Sequence, residues 1–155
     1  MANNQLLETW QIHDRINLYV LDAVDPSSLD SHSASKGRSV GEQFAHIHNV
    51  RLMWLKTSAP DLLQGLTKLE NDQAKDKKLL RKSLVDSGVA IGTLLSKSQE
   101  ADGKVKGFKP NAAAFLGYLI SHESHHRGQI ALTLKQAGNP LDKKIGYGMW
   151  EWGVR

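Results

Sequence analysis

The sequence predicts an all-α fold, a four-helix bundle with long crossover connections forming a single domain over residues 1–155. Three observations carry that expectation. Apolar residues recur at helical spacing in four separate segments, no segment alternates as a half-buried strand would, and polar or proline-bearing stretches divide the segments. At 155 residues the chain is long enough for one real core. Four amphipathic helices in a domain of that size bury their apolar faces against one another.

The first segment runs from Gln5 to about Val24, with Leu6, Trp10, Val20, Leu21 and Val24 on one face. Asp25-Pro26-Ser27-Ser28 stops it, and a polar stretch of serines and glycine continues to Arg38. The second opens at Ser39, where Ser39-Val40-Gly41-Glu42 reads as a capping box, a hydroxyl followed three residues later by a carboxylate. It continues to about Lys56, stops before Ala59-Pro60, and presents Val40, Phe44, Ile47, Val50 and Trp54 on its apolar face. Asp61 to Lys75 shows no clear pattern. The third spans about Asp76 to Glu100, with a stripe of Leu80, Leu84, Ile91, Leu94 and Leu95. The fourth begins near Pro110-Asn111, proline being tolerated at a helix start, and ends at the glycine and proline of Gly138-Asn139-Pro140. Because the first and second connections are long, neighbours in sequence need not be antiparallel neighbours in space.

Hydrophobic residues at 40% and charged residues at 23% are the proportions of an ordinary globular protein. No apolar run reaches transmembrane length, and the start Met1-Ala2-Asn3-Asn4-Gln5 lacks the shape of a signal peptide. The expectation is therefore a cytoplasmic protein with no membrane partner. The chain has no cysteine, which excludes a disulfide framework, thiolate metal ligation and a cysteine nucleophile. Any thiol chemistry would need a thiol that arrives with a substrate. A net charge of +4 and a pI near 9.3 raise the question of nucleic acid. Yet the basic residues are dispersed, with clusters only at Lys75–Lys82 and Lys104–Lys109 and no interleaved aromatics. They read as solvated faces, and no nucleic-acid partner is expected.

The most informative stretch is Ser121–Gln129, which holds His122, His125 and His126 inside an otherwise apolar helical segment. At about 100° per residue, Phe115, Leu119, His122, His126, Gln129 and Thr133 share one stripe. His122 and His126 thus stand one turn apart where a bundle normally places leucines. Desolvated imidazoles need partners, and this spacing suits shared coordination of a divalent metal ion. A lone inward histidine is more often a hydrogen-bonded core residue; the stacked pair favours metal. His125 lies off the stripe, towards Tyr118 and Leu132. A third ligand would come from the second helix, where His46 lies beside Val50 and Met53, and His48 beside Leu55 and Phe44. Periodicity does not choose between them. His13 shares a face with Leu6, Trp10 and Val20, and reads equally as a paired buried imidazole or as part of the site. His32 lies in the polar loop and carries no functional weight.

The same run also spells His122-Glu123-x-x-His126, the zincin pattern of two zinc ligands and a general-base glutamate. The third ligand of such proteases is missing: Leu132 stands six residues after His126, and only Glu151 follows the helix, in a short tail. Nor does a strand-rich region offer an edge for a peptide, so the protease reading stands as a minor alternative.

The run His122-x-x-x-His126-Arg127-Gly128-Gln129 resembles the signature of the DinB-like (damage-inducible) four-helix-bundle metalloproteins. Phe44-Ala45-His46-Ile47-His48 is similar to that family's first ligand region, and Trp150-Glu151-Trp152-Gly153 to the ending of many members. The likeness covers essentially the whole chain in helix order and length. It implies that His46, His122 and His126 are the three ligands of a divalent metal, zinc or nickel, with His48 and His125 as neighbours. It further implies a transferase or isomerase acting on a small-molecule substrate with a low-molecular-weight thiol as co-substrate, and a homodimer.

A neutral three-histidine set leaves the ion its full charge, enough to lower the pKa of water or a thiol at an open position. Glu123, beside the ligands, is the candidate catalytic proton acceptor or imidazole partner. Arg127 and Gln129 are candidates to orient a ligand, and Gly128 reads as permitting close helix approach. Three classes follow. The favoured one is a thiol S-transferase of detoxification or stress type. A metal-dependent hydrolase is the alternative enzyme, and a bundle whose metal only ties helices together is the non-catalytic one. A fourth protein ligand, such as His13, would favour the last. Trp10, Trp54, Trp150 and Trp152 read as core more readily than as a substrate pocket.

Overall fold

The computed structural model describes residues 4–155, so the reading of Met1-Ala2-Asn3 as lacking a leader lies outside the described residues. Five α-helices make the fold: α1 Gln5–Ala23, α2 Val40–Ser58, α3 Lys77–Glu100, α4 Ala112–Gln136 and α5 Lys143–Gly148. Among the described residues there is no strand, only an isolated bridge between Val105 and Phe108. Among the described residues no helix is long and apolar enough to cross a membrane.

The four long helices begin and end where local chemistry says they should. Asn4, Ser39, Asp76 and Asn111 each accept a backbone N–H of the first turn through their side chains. At Ser39 the capping box is complete, since Glu42 also accepts the Ser39 N–H at 2.8 Å. Helix α4 closes with Gly138 at φ 84°, its N–H donating to the Lys135 carbonyl while that of Asn139 donates to Leu134. This paired closure satisfies carbonyls that the helix end would leave free. The featureless stretch before α3 forms two short 3₁₀ turns, Pro60–Leu63 and Asn71–Lys75. The fifth helix was not expected; at six residues it is too short to show an apolar period.

Helices α1 and α2 each pack against both α3 and α4. Their apolar residues divide into two clusters. One gathers Val20, Phe44, Ile47, Leu80, Leu84, Ile130 and Leu134; the other gathers Trp10, Leu55, Ile91, Leu95, Phe115 and Leu119. Along every long helix, polar side chains separate the two: His13 and Asn17 on α1, His48 and Arg51 on α2, Ser87 on α3, and Glu123 and His126 on α4. All seven are buried. A polar layer therefore crosses the middle of the core.

Close approach of backbone falls at Gly41 and Gly88. A Cβ on Gly41 would overlap the Ala74 carbonyl oxygen, and one on Gly88 would meet the Asp14 carboxylate at 2.3 Å. Gly128 does not have this job: it is exposed, with nothing within 4 Å of a Cβ built there. The expectation of close helix approach at Gly128 is corrected accordingly.

Candidate metal centre

Helix α2 supplies His46 in its second turn, and α4 supplies His122 and His126 from facing positions one turn apart. One nitrogen from each of the three rings lies within 4.8 Å of the others. The ring centroids are 4.5 Å apart for His46 and His126, 4.6 Å for His122 and His126, and 5.3 Å for His46 and His122. His122 Nε2 and His126 Nε2 approach to 3.1 Å. With the proton of His122 on Nε2 this is an N–H···N hydrogen bond, and the spacing is also close to the ~3.3 Å between two ligands of one tetrahedral ion. The donor set therefore fits a divalent cation.

The outer atoms orient the rings. His126 Nδ1 lies 2.7 Å from Gln43 Oε1 and 2.9 Å from Gln129 Oε1. Both are acceptors, so the proton belongs on Nδ1 and the Nε2 lone pair faces the other histidines. His122 stacks on Tyr118 with the ring planes 12° apart, and its buried Nδ1 has no protein partner. Tyr118 in turn belongs to an edge-to-face aromatic group with Trp54, Phe108 and Phe115.

Protonation favours ligation. Burial, then Arg38 and His122, pushes His46 down to about 4. Burial, then His122 and His46, does the same to His126. His122 is lowered by burial against the opposing pull of Glu123. Neutral imidazole is the form that binds a metal ion.

Glu123 sits next to His122 in sequence, but its carboxylate faces the core. Arg51 Nε and Nη2 donate to it, Asn17 Nδ2 donates at 3.1 Å, and His13 Nε2 lies at 3.6 Å. Burial alone would raise this carboxyl; Arg51 and then His13 more than offset that and hold it at about 2. A carboxylate so engaged is a weak base, which does not match the expected proton acceptor.

The other expected participants divide between the two faces of α4. Gln129 touches the cluster through His126. Arg127 turns inward, donating to Asn17 Oδ1 at 2.6 Å and to Ser124 Oγ at 3.0 Å. His13 belongs to the polar layer and not to the cluster, so it is no fourth ligand. His48 is buried with Nε2 2.8 Å from the Thr67 carbonyl, apart from the cluster. His125 is exposed, its ring 5.2 Å from that of His126. His32 contacts the Gly37 carbonyl and stays outside the site.

Three contributors were missed by sequence reasoning. Gln43 lies one turn before His46, a spacing that already put it on the ligand face. Arg51 lies four residues after Ile47 and four before Leu55, on the apolar stripe, where a charged residue signals a buried partner. Tyr118 lies one turn before His122.

An all-helical chain with a cluster of three histidines from two helices has a donor set compatible with a metal ion. The profile of the DinB family matches residues 1–143, and the chain belongs to that family. No curated protein and no solved structure matches it.

Proposed function

We propose that His46, His122 and His126 hold a divalent metal ion, zinc or nickel, and that the protein is a thiol-dependent S-transferase of detoxification or stress type. The observation that carries the metal reading is the convergence of three imidazole nitrogens within 4.8 Å, with His126 Nδ1 held by two glutamine oxygens. Three neutral ligands and no fourth histidine, cysteine or carboxylate in the cluster leave room for an exchangeable ligand. Once bound, the ion would supply the positive charge that stabilises a thiol as thiolate beside an electrophile. The chain's own part is orientation: Gln43 and Gln129 fix the His126 tautomer, and the Tyr118 ring backs His122 and screens it from water.

The engagement of Glu123 by Arg51 favours transfer over a zincin-type hydrolase, whose general base would have to be free. With the family resemblance, this reading carries a four-helix bundle with crossovers, a small-molecule substrate, homodimerisation and a cytoplasmic thiol pool.

Elemental analysis of untagged protein is the first test. About one zinc or nickel per chain, lost in His126→Ala, is the expected result. Transfer to an electrophilic substrate should then depend on added thiol. Thiol-independent turnover of an ester or amide would replace transfer with hydrolysis, and absence of metal after reconstitution would end the metal reading.

A further inference from the structure

Beside the histidine cluster, between the segment before α2 and the last turns of α4, lies a cavity of about 290 Å³. Its lining includes Lys36, Arg38, Gln43, Gln129, Thr133 and Gln136, and no acidic residue. Three of these are carboxamides whose oxygens are already used. Gln43 and Gln129 accept from His126 Nδ1, and Gln136 accepts from the Ala34 N–H at 2.9 Å. Each amide is thereby fixed with its NH₂ group uncommitted: among the described residues none of the three donates to a protein group. Lys36 and Arg38 likewise have no carboxylate partner among the described residues. The cavity is rich in donors and poor in acceptors, with Gln43 itself only 6% exposed.

The segment carrying the two cations is braced. Ser33 Oγ donates to the Lys36 carbonyl at 2.8 Å, and Lys36 N–H donates to Ser33 O at 3.0 Å. Lys36 at φ 65° and Gly37 at φ 95° turn the chain sharply so that Arg38 arrives at the cavity. Arg38 also stands near enough to His46 and His122 to lower the basicity of both.

We infer that this cavity is an anion-binding subsite, in which Arg38, Lys36 and the three glutamine amides receive a carboxylate or phosphate group of the molecule that occupies the open metal position. The inference rests on the metal reading only for what the anion is attached to. Charge-assisted donors converging from both sides would recognise the anion and leave the reactive end free to reach the histidines. The ligand class of the site is therefore a small anionic molecule.

Metal-free protein titrated separately with succinate and with inorganic phosphate, followed by backbone amide NMR, tests the subsite. Saturable shifts at Lys36, Arg38, Gln129 and Gln136 are expected for at least one of the two, and which one binds identifies the anion. Affinity should fall about tenfold in Arg38→Gln and further in the Lys36→Gln/Arg38→Gln pair, with unchanged helicity by circular dichroism. Failure of both anions to saturate, or unchanged affinity in the double variant, overturns the proposal. Cobalt-loaded protein then compares mercaptosuccinate with 2-mercaptoethanol by charge-transfer absorption. An advantage of about tenfold for the anionic thiol, abolished in the double variant, is expected; no advantage overturns the link between cavity and metal ligand. Saturable anion binding in a protein that takes up no cobalt would sink the metal reading alone.

Discussion

Within the cluster, His126 is the histidine whose second nitrogen the protein engages. His126 has two glutamine oxygens on Nδ1, whereas His48 spends Nε2 on the Thr67 carbonyl and lies apart from the cluster. Metal content should therefore vanish in His122→Ala and His126→Ala and nearly vanish in His46→Ala, while His48→Ala keeps its ion. Retention of one tight ion in all three cluster variants would disprove the assignment. The same burial has a pH signature in the metal-free protein. His46 and His126 bind protons near 4 when folded and near 6.5 when unfolded. Between those values the unfolded chain holds more protons, so stability declines as pH falls from about 6.5 to about 4. Urea midpoints across that range should show the decline, and a His46→Gln/His126→Gln pair should reduce it, His13, His48 and His122 being lowered in the same direction. At this scale the sequence revealed the α4 pair through helical spacing. The choice of His46 over His48 came from resemblance alone, because both edges of the α2 face are apolar and only tertiary contacts distinguish them.

Helix boundaries were the most legible feature, since capping chemistry is local. Ser39 with Glu42 and Gly138 with Asn139 mark ends that the structure places within a residue or two of the expected ones. What stayed hidden depends on another element. Gly128 and Gly41 are both helical glycines, yet one faces solvent and the other lies against the Ala74 carbonyl. Gly128→Ala should raise stability by about 0.5–1 kcal/mol, the intrinsic helix preference of alanine with no steric penalty. Gly41→Ala should lower it by about 1–3 kcal/mol, because α2 must shift away from the turn before α3. Thermal or urea unfolding of the two variants would decide; a loss at Gly128 would mean that its surroundings are occupied. Short elements escaped detection for a related reason. Helix α5 and the two 3₁₀ turns hold too few residues to display a period, so docking and not pattern defines them.

Across the whole molecule, the core is divided by the layer centred on Arg51 and Glu123. Sequence pattern gave the number of long helices but not this layer, since a charge in an apolar stripe is ambiguous until its partner on another helix is known. Removing Arg51 strands Glu123 in the interior, whereas Glu123→Gln leaves Arg51 paired with Asp14 at 2.9 Å and should cost about 1–3 kcal/mol, less than a fully unpaired buried charge. An Arg51→Met/Glu123→Met pair should recover only part of that loss, because Asp14 is then left without its guanidinium partner. Equal stability for Glu123→Gln and the native chain, by urea denaturation, would show that the layer is not what it appears in the fold.

The Arg51–Glu123 pair also acts as a register mark between the two helices that carry the histidines. If α2 slid one turn along α4, about 5.4 Å, Arg51 would come level with Leu119 in one direction and Arg127 in the other. The first leaves a guanidinium against an aliphatic side chain; the second sets two cations together. Either shift breaks the pair, which favours the observed axial setting, the one in which His46 lies beside His122 and His126. Precision in the histidine cluster is thus inherited from an ion pair that belongs to none of its three rings.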